Sequence, residues 1–143
     1  MATKASDVMR RWFQEVWCEG KPATIAELFP AHGLAHGLGG EPVRGPEAFL
    51  AFWRGFRATF TDLHIRVDDA VDEGSMTYVR CTARMKHAGS PVVLTGGCQA
   101  RIEDGKIAEC WNSWDFVTLL AQMGALPPDA LGRAFAGGRA RFD

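Results

Sequence analysis

Apolar residues follow two different periods along this chain, and the change falls near Leu63. Upstream, Val8, Met9, Trp12, Phe13, Val16 and Trp17 recur at i, i+4, i+5, i+8 and i+9, a broad helical stripe. Ser6 and Asp7 are candidate caps for this helix, and Gly20 ends it after Glu19. Pro22 suits the first turn of a short helix through Leu28 and Phe29, which Pro30 stops. The span from His32 to Gly45 reads as a loop with one short strand near His36. Gly45-Pro46 then opens a third helix to about Phe60, with Phe49, Phe52, Trp53, Phe56 and Phe60 on a wide aromatic face.

Beyond Leu63 the period is two. His64-Ile65-Arg66-Val67 alternates, as does much of Met76 to Met85. Asp72-Glu73-Gly74-Ser75 and Ala88-Gly89-Ser90-Pro91 mark hairpins. Val92 to Ile102 predicts a long strand, with Gly96-Gly97 expected as a bulge or a close backbone approach. The Asp104-Gly105 turn leads into a last strand, Ile107 to Trp114. Asp115 is placed to cap a final helix that stops at Gly124, with Pro127 beyond. Helices followed by antiparallel strands predict an α+β fold with helices on one face of a sheet. The expected organisation is one domain over residues 1–143, with a core of about 6–127 and a tail, 128–143, whose helical pattern (Leu131, Phe135) is weak.

Composition removes several function classes. A net charge of -1 argues against a nucleic-acid role, which calls for a basic face. No apolar run approaches the length of a membrane span, and Met1 to Ser6 lacks the apolar core of a signal peptide. A cytoplasmic location is therefore expected. Cys18, Cys81, Cys98 and Cys110 form no CxxC pair and no zinc spacing, so they read as reduced thiols, and no metal or cofactor is expected.

The last strand concentrates the candidate chemistry. Strand parity puts Cys110, Asn112 and Trp114 on one face and Trp111, Ser113 and Asp115 on the other. Asn112 is either a hydrogen-bonding group on a pocket floor or a buried amide satisfied by backbone. Asp115 is either a displaced acid/base or a helix cap, and capping, which lowers a carboxyl pKa, is favoured. Arg80 either binds a ligand oxygen or lies outward, paired with a carboxylate across strands. His36 is a candidate ligand contact or general base; His64 reads as a solvated strand residue, and His87 is a weaker candidate. Asp62 reads as fixing the corner between the third helix and the first long strand. Most aromatic residues pack a core, and some line a cavity.

Five blocks in order carry a resemblance: MRRWFQEVWCEGKPATIAELF, AHGLAHG, VRGPEAFLAFWRGFRATFTDLHIRVDDAVDEG, VRCTARMKHAG and IEDGKIAECWNSWDFVTLLAQMGAL. Together, over about Val8 to Leu126, the chain resembles the SnoaL-like polyketide cyclases of the NTF2-like superfamily. The resemblance implies a cone: a curved antiparallel sheet around a deep apolar pocket, closed by helices, often dimeric through the outer face of the sheet. It also implies an aldol ring closure by a carboxylate base, an Asp that follows Trp on the last strand, with a His or Asp fourteen residues earlier. Those positions fall on Asn112 and Cys98 here, so both ionisable groups are replaced. The chain also resembles limonene-epoxide-hydrolase-type proteins, whose Arg and two Asp fall on Arg80, Thr82 and Asn112; only the Arg is kept.

This fold hosts many chemistries, so the site must decide. The sequence reading is a pocket for a small hydrophobic, polyketide- or steroid-like molecule, contacted by Phe13, Trp17, His36, Phe52, Phe56, Phe60, Thr82, Cys98, Asn112, Trp114 and Leu119. The alternative is an aldol cyclase with His36 or Asp115 as base and Asn112 with Arg80 stabilising the oxyanion. A homodimer is the expected assembly.

Overall fold

The computed structural model describes residues 3–139. Helix α1 (Ala5–Trp12) runs into a π-helical segment, Phe13–Cys18, followed by α2 (Pro22–Leu28). Short strands β1 (Leu34–His36) and β2 (Val43–Arg44) precede α3 (Gly45–Thr59). Four longer strands follow: β3 (Phe60–Glu73), β4 (Met76–His87), β5 (Ser90–Glu103) and β6 (Lys106–Trp114). Helices α4 (Phe116–Gln122) and α5 (Ala130–Phe135) end the described chain. No helix among the described residues is long and apolar enough to cross a membrane.

The strands form one curved sheet in the order β2-β1-β6-β5-β4-β3. The long strands pair antiparallel, and β1 runs parallel to β6. Two turns, Ala88-Gly89 and Asp104-Gly105, have both central residues at positive φ, the twist-matched geometry of tight hairpins. Register shifts interrupt β3 between Thr61 and His64 and between Val67 and Asp69. Such irregularities bend a strand, which lets the sheet wrap around its concave face. Asp62 sits in the first of them at φ 51, with Lys86 at 3.4 Å.

Alternation decides which side of each strand meets the helices. On β4, Val79, Cys81, Ala83 and Met85 are buried. Their neighbours Tyr78, Arg80, Thr82 and Arg84 face outward, Thr82 being half-buried. One outward row crosses five strands by direct pairing: Val71, Tyr78, Gln99, Trp111 and His36. The inner face packs against α1, α3 and the π-helical segment around Met9, Val16, Phe29 and Phe49.

Two local expectations need correction. Asp7 takes part in capping α1, its carboxylate accepting the N–H of Lys4 at the cap position at 2.9 Å, but Ser6 does not. Ser6 lies inside the helix, and its N–H and hydroxyl donate to Asp72 at 2.8 and 2.6 Å, tying α1 to the β3–β4 hairpin. The end of the first helix is also wound wider than an α-helix, with Glu19 N–H donating to Gln14 O. Side chains of α3 meet this segment. The Trp53 indole donates to Val16 O at 2.9 Å and Arg57 donates to Trp17 O at 2.8 Å, so carbonyls at the π-helical segment are taken by side chains.

Gly96-Gly97 is a close approach and not a bulge, since register runs unbroken through both. A Cβ on Gly97 would fall 2.2 Å from the Tyr78 hydroxyl, and one on Gly96 only 2.3 Å from Ser113 O and 2.7 Å from the Trp114 Cα. Backbone cannot yield as a side chain can. Gly96→Ala should therefore cost about 1–3 kcal/mol in urea unfolding, as overpacking does. Gly55→Ala on α3, where a Cβ meets nothing within 4 Å, should instead add up to about 1 kcal/mol by helix propensity. Equal stability of Gly96→Ala and parent would mean that the β5–β6 contact is looser than described.

Candidate functional site

The concave face and the helices enclose a cavity of about 370 Å³. Each element contributes by its own periodicity. One stripe of α1 and the π-helical segment supplies Met9, Trp12, Phe13 and Trp17, and α3 supplies Phe49, Phe52 and Phe56. Ile65, Ala83, Leu94 and Cys98 come from inward positions of β3, β4 and β5. Strand β6 adds Cys110, Asn112 and Trp114, the face predicted by parity. The rim is Leu38 and Gly39 from the β1–β2 loop with Phe116 and Leu120 from α4; Gly39 and Leu120 reach solvent.

Aromatic edges organise the walls. Trp17 meets Phe49, Phe52 and Phe56 edge-on at centroid distances of 6.2, 6.3 and 5.3 Å. Phe13 meets Trp114 in the same manner at 6.2 Å. These contacts favour fixed ring orientations over a fluid lining.

Asn112 is the one carboxamide on the wall, and both of its ends are engaged. Its Nδ2 donates to His36 O at 3.0 Å, and its Oδ1 accepts from the Trp114 indole at 3.0 Å. A second Nδ2 contact, to Cys110 Sγ at 3.8 Å, is weak. Asn112 thus joins β6 to the start of the β1–β2 loop and holds the Trp114 ring. No Asp, Glu, His, Lys or Arg among the described residues lines the cavity. Two thiols do. A hydrogen bond with Cys110 and burial hold Cys98 well above the ordinary thiol range, so it stays protonated at neutral pH. Behind the wall, burial pushes Cys81 up to about 12.

Several expected site residues lie elsewhere. His36 is on the outer face, stacked on Trp111 at 5.7 Å, with Nε2 2.7 Å from Glu109. That contact, with help from Arg101, holds the Glu109 carboxyl below its usual range. The inward-facing residue of β1 is its neighbour Ala35, which is buried, so strand parity puts the His36 side chain on the opposite face. Arg80 is also outward, with Nη2 2.7 Å from Asp69, and the Thr82 hydroxyl donates to Asp68 at 2.6 Å on the same face. Asp115 caps α4: it accepts from the Thr118 hydroxyl at 2.6 Å and the Thr118 N–H at 3.1 Å. Both bonds lower its pKa, the hydroxyl most, which makes it a poor base.

Phe60 packs behind the wall, between Phe56 and His87, and Leu119 is buried under α4 while Leu120 takes the rim. His64 is exposed. Of the residues expected to contact a ligand, Phe13, Trp17, Phe52, Phe56, Cys98, Asn112 and Trp114 come together at the cavity. Met9, Trp12 and Phe49 were missed although they share the helical stripes of residues that were named. Ala83 and Leu94 were findable by parity; Leu38 and Gly39 sit in a loop without period.

A model of the SnoaL-like polyketide cyclase family matches residues 7–123. Wild-type IdmH from Streptomyces antibioticus, proposed as a polyketide cyclase, is 30% identical, with 85% of this chain and 99% of that chain covered and a TM-score of 0.74. TsrD from Streptomyces laurentii is 25% identical over 85% of this chain and 95% of that one, with a TM-score of 0.72. A protein from Bacillus cereus ATCC 10987, also proposed as a polyketide cyclase, shares the fold at a TM-score of 0.79 and 23% identity, covering 87% of this chain and 83% of that one. No curated protein sequence matches significantly. By sequence and by fold, this chain belongs to the SnoaL-like polyketide cyclase family.

Proposed function

We propose that the protein binds a neutral, largely apolar molecule of polyketide- or steroid-like shape, and that its pocket walls carry no acid/base pair. The supporting observation is the lining: aromatic and aliphatic side chains, two thiols and one engaged carboxamide around about 370 Å³. That volume suits a drug-sized ligand. An ionised ligand would lose its hydration with no counter-charge on the wall, which is costly. Against an aldol closure by the candidate residues, His36 and Arg80 lie on the other side of the sheet and Asp115 is a cap.

Quenching of tryptophan fluorescence tests the binding, because Trp12, Trp17 and Trp114 line the cavity. The neutral steroid progesterone should bind about tenfold or more tightly than the carboxylate cholate, since only the latter buries a charge. Equal affinities, or no quenching by either, would sink the proposal.

Position 112 gives a second test. An Asp there would face His36 O where Nδ2 now donates, inside an apolar wall. Both factors raise its pKa above the unfolded value of about 3.9. The unfolded chain then loses its proton first, so the stability of Asn112→Asp relative to parent should fall as pH rises through about 4 towards the raised pKa. Where the variant is folded, it should eliminate nitrobenzisoxazole faster than the parent, as a carboxylate in a dry cavity acts as a base. A variant that folds but matches the parent at every pH would mean that position 112 does not reach the cavity.

The outer row of Val71, Tyr78 and Trp111, each exposed, supports a homodimer through that face. Sedimentation should report a dimer for the parent and a shift to monomer for Tyr78→Glu; a monomeric parent removes this assembly.

A further inference from the structure

We propose a second binding site, outside the cavity: a cleft of about 280 Å³ between the first helical stretch and β3 that takes a small carboxylate on an apolar stem. Strand β3 stands at the edge of the sheet, so the cleft meets both of its faces and its unpaired side. Ile65 comes from the inner face, His64 and Arg66 from the outer one. Cys18 closes the free edge at Ile65, its sulfur accepting the Ile65 N–H at 3.3 Å; two residues on, Val67 is left to line the cleft. Arg10 of α1 and Gln14 of the π-helical segment stand on the helical side. Phe13 completes the floor. With Ile65 it also borders the main cavity, so the two spaces lie back to back across those side chains.

Charge decides what the cleft can hold. Arginines nearby are matched: Arg11 reaches Glu15 at 2.6 Å and Glu27 at 2.7 Å, and Arg80 reaches Asp69 at 2.7 Å. Asp68, 2.6 Å from Arg66 Nε, meets the charge of Arg66 in the same way. Arg10 has no carboxylate within ion-pair distance among the described residues. Its fork of donors is open to whatever enters, and a carboxylate is the group such a fork grips with two parallel bonds. The Arg66 Nη atoms and the His64 ring can add donors from the other wall. Gln14 is already engaged: after Lys21, it is the second group that holds the Glu19 carboxyl below its ordinary range. One unmatched positive charge suits a monoanion, whereas a dianion would bring in a charge without a counterpart. The floor of Phe13, Ile65 and Val67 calls for an apolar stem, and the modest volume limits that stem to about one aromatic ring.

The probe is phenylacetate, titrated into isotope-labelled protein at about 0.15 M salt, where long-range charge effects are screened. Val67 lines only the cleft and Leu94 only the cavity, so their methyl resonances report the two spaces separately. The Val67 methyls should shift and saturate with a Kd of about 1 mM or below, while those of Leu94 stay in place. Arg10→Gln should weaken binding about fivefold or more, as loss of a charge-assisted bond does. Arg133→Gln removes one positive charge outside the cleft and should leave the affinity within about twofold. Neutral phenylacetamide, acetate without the stem and inorganic phosphate should each bind about fivefold or more weakly than phenylacetate. Shifts at Leu94 rather than Val67 would place the carboxylate in the cavity and overturn the proposal. So would an Arg10→Gln variant that binds like the parent, or a cleft that takes the amide or phosphate as tightly as phenylacetate. Absence of any saturable shift at Val67 overturns it outright and leaves the reading of the main cavity untouched.

Discussion

A carboxamide that faces an apolar cavity must bring its own partners, and the whole pocket end of this fold is arranged around that requirement at Asn112. Leaving either end of a buried amide unpaired costs about 1–3 kcal/mol. Here one end holds the backbone of His36 and the other holds the Trp114 indole. The same side chain thereby fixes where the β1–β2 loop leaves the sheet and how the Trp114 ring is presented. The loop carries Leu38 and Gly39 to the rim, and Trp114 meets Phe13 on the opposite wall. The Cβ that Gly37 lacks would come within 2.1 Å of Asn112 O, so the backbones are also in close contact at this point. The Asn112 side chain is thus a tether between the walls.

The opposite wall depends on α3 in a comparable way. A π-helical segment leaves carbonyls without their usual partners, and such segments persist where something else takes them. Trp53 and Arg57 stand one turn apart on α3 and supply two donors, while Arg57 also lies over the Trp53 ring at 5.2 Å. Cys18 closes the segment against β3, its sulfur 3.2 Å from Ile65 O and 3.3 Å from Ile65 N. The wider winding keeps Phe13 and Trp17 both on the cavity while Val16 is wholly buried. Ring placement in the pocket is thus set by backbone hydrogen bonding made outside it.

Most of the architecture was legible because periodicity reports which face of an element is dry. The change of period near Leu63, the hairpin signals at Gly74, Gly89 and Gly105 and the cap at Asp115 all correspond to structural boundaries. Parity on β6 likewise separated Asn112 from Trp111. What stayed hidden was set by partners distant in sequence. Ser6 looks like a cap until Asp72 arrives from the β3–β4 hairpin to take its hydroxyl. The π-helical winding has no local signature, and the side chains that take its last carbonyls come from α3. His36 was misplaced because a strand of three residues is too short to show its parity, and only its pairing with Trp111 reveals the outward face.

Parity also keeps the ionisable groups of the described strands away from the cavity wall. Ionisable groups stand next in sequence to inward-facing residues of the sheet: His36 beside Ala35, Glu109 beside Cys110, Arg80 beside Cys81. Each is on the far side of a pleated strand, and a side chain cannot change faces by small motions. Reaching the cavity would require a slip of one residue, which would move every neighbour on that strand to the wrong face as well. The outer ion pairs are therefore not a reserve of catalytic groups. On these strands an ionisable side chain would reach the described wall only by substitution at an inward position, such as those of Ala83, Leu94 or Asn112.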